Sequence, residues 1–86
     1  MRHAGPAALN RLEPLLKRLR AIRGLKERSR GVFYLKSRPV LHFHEDPAGL
    51  FADVRADDGN DFERLNVDDP FSWDELEAIV IARTRP

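Results

Sequence analysis

Two histidines and one aspartate are the side chains of this sequence whose types and spacing fit metal chemistry. His42 and His44 are two residues apart, so on a β-strand both imidazoles point to the same face. Asp53 falls on the next predicted strand, diagonal to His42. Imidazole and carboxylate groups are common ligands of zinc, so these three residues are candidates for a metal site. The alternatives are structural or interface histidines, acid–base catalysis, and a role of Asp53 as the cross-strand partner of Arg64.

The length and composition of the chain are those of one small domain. Its 86 residues include no cysteine, so neither disulfides nor thiolate–metal sites are available. No apolar run approaches the roughly 20 residues that span a membrane, and the first residues lack the apolar core of a signal peptide. We therefore expect a cytoplasmic protein without membrane contact, with a flexible N-terminus at 1–9 and a single domain at 10–86.

Charge is divided unevenly along the chain. Residues 1–40 contain eleven Lys and Arg against two Glu, whereas residues 41–86 contain four Arg against twelve Asp and Glu. A basic N-terminal helix could bind nucleic acid through Arg18, Arg20, Arg23 and Lys26. The favoured explanation is that this helix lies near acidic groups of its own fold or of a partner subunit. Its basic residues are spread along the helix, and no aromatic side chain interleaves them to stack on bases.

The apolar periodicity predicts an α+β fold in the order α-β-β-β-β-α. A leucine stripe at helical spacing indicates a helix at 11–23, and a second helix is expected at 73–83. Between them the period changes to two, which predicts strands near 31–36, 39–44, 49–56 and 61–67. Short turns join these strands, so we expect a four-stranded antiparallel meander with both helices mainly on one face.

The turns also predict which side chains share a face of the sheet. A two-residue turn at 37–38 and four-residue loops at 45–48 and 57–60 predict one apolar face beneath the helices. The opposite face would form an interface or ligand surface that includes Phe33, Leu35, Val40, His42, His44, Phe51, Asp53, Phe62 and Arg64. Its five apolar residues are too many for a solvated surface, so a partner is expected to cover them. The alternative places one helix on each side, which makes these residues a second half of the core.

The central segment 31–55 reads GVFYLKSRPVLHFHEDPAGLFADVR. It resembles the signature of a small uncharacterised bacterial domain family, in which a leading amphipathic helix precedes the same LHFHEDPAGLFADVR run. More distantly, the LHFH motif at 41–44 followed by Asp53 is similar to a region of the luciferase domain-containing family. Neither resemblance implies an activity, a cofactor or a catalytic residue, and the second does not imply light emission.

The sequence thus leads to three hypotheses about function. The first is a non-enzymatic binding or assembly module, a homodimer or a protein-binding domain, that acts through the face containing Phe51 and His42. The second is a small metal- or ligand-binding protein, with or without enzymatic activity, centred on His42, His44 and Asp53. The third is nucleic-acid binding by the basic helix. No cofactor and no catalytic residue are expected.

Overall fold

An antiparallel β-meander carries helices from both ends of the chain on one face in the computed structural model, which describes residues 2–85. The predicted α+β class is confirmed. The elements are β1 Arg2–His3, α1 Pro6–Arg11, α2 Glu13–Arg20, β2 Leu25–Ser29, β3 Val32–Leu35, β4 Arg38–Asp46, β5 Gly49–Arg55, β6 Phe62–Asn66 and α3 Trp73–Thr84. The strand order is β2-β3-β4-β5-β6, and β1 pairs with β4.

The N-terminal segment differs from the prediction of a flexible end. Residues 2–9, expected to be free of structure, form β1 and much of α1 instead. The helical segment predicted at 11–23 is divided at Leu12, because Pro14 has no N–H to continue the hydrogen-bond ladder of the preceding turn. α2 then ends before Gly24, which has the predicted left-handed conformation with φ +89°.

One apolar core lies between the helices and the sheet. α1, α2 and the residue between them supply Leu9, Leu12, Leu15, Leu16 and Leu19, and α3 supplies Leu76 and Val80. The sheet supplies Phe33, Leu41, Phe43, Leu50, Ala52 and Val54, and Val67 follows β6. Because the buried side chains of the three described helices belong to this cluster, the helices cover a single face, and no helix formed by residues 2–85 lies on the opposite face.

A β-bulge changes the face on which β3 presents its side chains. Phe33 pairs with Leu41 and Tyr34 pairs with Pro39, so Val40 is an additional residue in β4. An additional residue shifts the register by one and turns alternate side chains to the other face. The predicted placement of Phe33, Leu35 and Val40 on the open face is therefore wrong. Phe33 is fully buried, Val40 belongs to the same core, and Leu35 packs against it.

A tight turn between β4 and β5 sets the register of the candidate site. Asp46 pairs with Gly49, so the connection has two residues where four were expected. The shorter turn moves the pairing by two residues, which preserves the faces but changes the partners. Gly49 has φ +141°, a backbone conformation that residues with a side chain rarely adopt, and a Cβ there would also collide with the Asp68 carboxylate. Glycine therefore suits this start of β5.

The segment after α2 forms β2, a strand in addition to the four that the sequence predicts. β2 is an edge strand rich in charge, and it lies between the helix predicted at 11–23 and the strand predicted near 31–36, where no strand was expected. Charged side chains protect sheet edges from unwanted pairing, so apolar periodicity is weak at this position. Among residues 2–85, no helix has the length and apolarity needed to cross a membrane.

Candidate metal centre

The open face of the sheet, opposite the helices, brings the predicted metal ligands together. In the β4–β5 pairing His42 lies directly opposite Asp53, where the sequence predicted a diagonal arrangement. His44 follows two residues later on the same face. Arg64 of β6 lies opposite Asp53 on its other side, as predicted. Asp53 of β5 thus lies between two histidines of β4 on one side and an arginine of β6 on the other.

The distances among the donor atoms are close to those of a coordination site. Asp53 Oδ2 lies 3.6 Å from His42 Nε2 and 3.0 Å from His44 Nδ1. One donor atom from each of the three side chains can be chosen so that all lie within 4.8 Å of one another. Ligands of a tetrahedral ion at ordinary zinc–nitrogen distances are about 3.3 Å apart. The two distances to Asp53 bracket that value.

His44 Nδ1 is a buried polar atom without a hydrogen-bond partner among the described residues. Its 3.0 Å separation from Asp53 Oδ2 is short enough for a hydrogen bond, but the orientation of the two groups is not that of one. Nearly all buried polar atoms in folded proteins have a partner, so an exception calls for an explanation. A metal ion bound to both His44 Nδ1 and Asp53 Oδ2 would explain why Nδ1 has no hydrogen bond.

Asp53 is held in the ionised form by its arginine partner. Arg64 donates from Nε to Oδ1 at 2.7 Å and from Nη2 to Oδ2 at 2.8 Å. These hydrogen bonds lower the pKa of Asp53 below its ordinary value, although burial acts in the opposite direction. The Asp53 side chain is 7% exposed and that of Arg64 is 47% exposed. The Asp53 carboxylate is therefore buried, while the Arg64 side chain that binds it is partly exposed to solvent.

The neutral form of His42 is favoured by its surroundings. Burial lowers the pKa of His42, the charge of neighbouring His44 lowers it further, and Asp53 acts in the opposite direction. A neutral imidazole retains a nitrogen lone pair, which is the form that binds a metal ion. The arrangement therefore combines an ionised carboxylate with an imidazole that resists protonation.

The third histidine of the chain, His3, belongs to the same cluster, although the sequence pattern did not indicate it. The His3 ring centroid lies 4.7 Å from that of His44 and 5.7 Å from that of His42. The chain has only three histidines, so all of them meet in one place. β1 and β4 are some forty residues apart in sequence, so no local pattern predicts that they pair. The only sequence signal for the position of His3 is that the chain has so few histidines. We call His3, His42, His44 and Asp53 the histidine cluster.

The rest of the open face is less apolar than predicted. Of the five apolar residues expected there, only Phe51 and Phe62 remain, because Phe33 and Val40 lie in the core and Leu35 packs against it. Phe62 is 38% exposed, stacks edge-on against His42, and lies beneath the Arg55 guanidinium at 4.7 Å. The nine predicted interface residues thus divide into three groups. Phe33, Leu35 and Val40 face the core, His42, His44 and Asp53 belong to the histidine cluster, and Phe51, Phe62 and Arg64 share the open face with that cluster.

The basic N-terminal helix is largely neutralised within the fold. Arg18 forms ion pairs with Asp74 and Glu77 of α3, and Arg20 forms ion pairs with Glu13 and Glu27. The expectation that the helix lies near acidic groups of its own fold is confirmed. Of the four predicted nucleic-acid contacts, Arg23 and Lys26 form no ion pair within residues 2–85, and both are exposed.

Comparison of the chain with protein-family models, with curated proteins and with solved structures gave no match.

Proposed function

We propose that this protein binds a divalent transition-metal ion on its open face through His42, His44 and Asp53. The observation that carries the proposal is the buried Nδ1 of His44, which faces the Asp53 carboxylate without a hydrogen bond. If Nδ1 is protonated, its N–H lacks an acceptor; if it is not, its lone pair faces the negative oxygen. A cation between the two atoms satisfies both.

The donor set selects the class of ion. Two imidazole nitrogens and one carboxylate oxygen suit zinc, cobalt, nickel or copper, whereas calcium and magnesium prefer sites built from oxygen alone. Arg64 fits this role as an outer partner, because ligating carboxylates are commonly hydrogen-bonded to a further group that orients them. Its positive charge opposes the ion, but more than two fifths of its side chain is exposed and can move toward solvent.

Isothermal titration calorimetry on chelator-treated protein tests the proposal. We expect Zn²⁺, Co²⁺ and Ni²⁺ to bind with a stoichiometry of one, and Mg²⁺ to give no heat of binding. His42→Gln and His44→Asn place an amide where Nε2 and Nδ1 lie, and each should weaken binding on the order of 100-fold, since even outer-shell changes cost about 10–100-fold. Asp53→Asn should act in the same way.

The matched control is Asp61→Asn, which removes the same charge from an exposed turn residue. It should bind zinc as the unmodified protein does. Absence of any binding to the wild-type protein would contradict the proposal, and so would binding that survives all three ligand substitutions.

Self-association through the open face is a second candidate function. It is favoured by the exposure of Phe62 beside His42 and by the half-buried Phe51 in the same patch. Sedimentation equilibrium with and without zinc tests it. We expect a dimer that Phe51→Asp dissociates while circular dichroism shows the fold unchanged. A wild-type monomer at every concentration, in both conditions, would contradict this candidate and leave metal binding unaffected.

A further inference from the structure

We propose that His3 is the fourth ligand of the ion, so that metal binding fastens strand β1 to the sheet. The inference rests on the proposed metal site and adds its coordination and its structural effect. Three imidazoles and one carboxylate would complete a tetrahedral set, and a completed set is typical of structural rather than catalytic zinc.

The position of β1 places His3 on the correct side of the sheet. His3 pairs with His44 and Arg2 pairs with Glu45, so β1 lies beside the far end of β4. Paired residues of neighbouring strands point to the same face, and His3 therefore shares the open face with His44. β3 is too short to reach this end of β4, and β1 occupies the place that it leaves.

The spacing of the three rings fits a shared ion. Their centroids are 4.7, 4.8 and 5.7 Å apart. Imidazoles that coordinate one tetrahedral ion at about 2.0–2.1 Å have centroids about 5 Å apart. The His3 side chain is exposed, so its ring is free to rotate toward the ion. Without an ion, the described structure gives the His3 ring contacts with His42 and His44 but no hydrogen bond.

The attachment of β1 to the sheet is otherwise slight. Glu45 accepts hydrogen bonds from the Arg2 guanidinium at 2.8 Å and from the Gly5 amide at 2.6 Å. The Ala4 amide donates to the Phe43 carbonyl at 3.0 Å. The pairing with β4 involves only two residues of each strand, and both residues of β1 are exposed. A strand attached in this way opens at little cost in free energy. An ion that joins His3 to β4 and β5 adds a strong link, and release of the ion frees the segment.

Two measurements on wild type and His3→Ala test this coordination. Cobalt reports ligand number, because four-coordinate Co²⁺ absorbs visible light far more strongly than six-coordinate Co²⁺. We expect the wild type to give the intense spectrum of a four-coordinate ion. In His3→Ala a water molecule replaces one imidazole, so the absorption bands should change in position and intensity and the cobalt affinity should fall about 10–100-fold. Amide hydrogen exchange then reports the strand. Zinc should slow exchange of the Ala4 and Gly5 amides at least about tenfold in the wild type and leave His3→Ala unchanged.

Arg2→Gln is the matched control, because it removes the ion pair with Glu45 while it retains His3. It should keep the intense cobalt spectrum and zinc-dependent protection of Ala4. The inference is overturned if His3→Ala binds cobalt with wild-type affinity and spectrum, or if zinc leaves exchange of Ala4 unchanged in the wild type. If His42→Gln still loses binding in that case, the three-ligand site stands alone. If the wild type binds no metal, the proposed function itself fails.

Discussion

Nδ1 of His44 lies 3.0 Å from Oδ2 of Asp53, although the two residues are not paired across β4 and β5. Asp53 pairs with His42, and His44 approaches the carboxylate diagonally from two residues farther along its strand. The contact exists because a two-residue turn fixes the register of the hairpin. Both imidazoles of a His-x-His pair thereby reach one buried oxygen, which is the basis of the proposed metal site.

Acid should weaken the fold through the histidine cluster. The pKa of His42 is lowered in the folded protein, so the unfolded chain takes up the proton first, near pH 6.5. The stability contributed by neutral His42 is fully present above that pH and is lost as pH falls through the folded pKa. Asp53, whose pKa is also lowered, adds a second loss below about pH 4.

Urea unfolding of the metal-free protein between pH 8 and pH 3 measures this dependence. We expect the free energy of unfolding to fall in both ranges, and His42→Gln to remove part of the decline that begins near pH 6.5. An identical decline in wild type and His42→Gln would contradict the assigned role of His42. Zinc affinity should fall over the same upper range, because protons compete with the ion for the imidazoles.

Arg64→Ala should destabilise the metal-free protein and make it more responsive to zinc. The substitution leaves the buried Asp53 carboxylate without its two charge-assisted hydrogen bonds, so the free energy of unfolding should fall. A bound ion replaces the missing positive charge, so zinc should raise the melting temperature more in this variant than in the wild type. Arg23→Ala, which removes an exposed arginine, is the control. An equal or smaller zinc response in Arg64→Ala would argue against coordination by Asp53.

Phe33→Ala tests whether the bulge between β3 and β4 turns the Phe33 side chain toward the core. Phe33 is fully buried, and removal of a buried phenylalanine side chain typically costs about 3–5 kcal/mol. Phe62→Ala is the matched substitution on the open face, where the side chain is 38% exposed, and should cost about 1 kcal/mol. Chemical denaturation measures both. Similar losses would show that Phe33 does not occupy the core.

The sequence predicts those parts of the fold that depend on local patterns. The leucine stripe indicates the N-terminal helix, alternation identifies the segments that become β3 to β6, and Gly24 marks the end of α2. Since a face is preserved when a turn changes by two residues, His42, His44 and Asp53 are correctly placed on one face. The opposition of Asp53 and Arg64 also follows from the sequence, because the last turn has the predicted pairing.

The errors arise where contacts distant in sequence decide the structure. The alternation of apolar and polar residues in β3 and β4 does not indicate the bulge at Val40. That bulge nevertheless places Phe33 on the face opposite to the predicted one. The edge strand β2 lacks apolar alternation because its charged side chains face solvent. His3 reaches the cluster only because β1 pairs with the end of β4, and two residues carry too little pattern to predict a strand.

The most direct test of the metal site is a two-dimensional ¹H–¹⁵N spectrum of the imidazole nitrogens during zinc titration. Coordination changes the ¹⁵N shift of the bonded nitrogen, so the spectrum identifies the ligand atom of each histidine. The structure predicts saturation at one equivalent, with the changes at Nε2 of His42 and Nδ1 of His44. Imidazole shifts that stay unchanged in excess zinc, or that change at the opposite nitrogens of both residues, would contradict the proposed site.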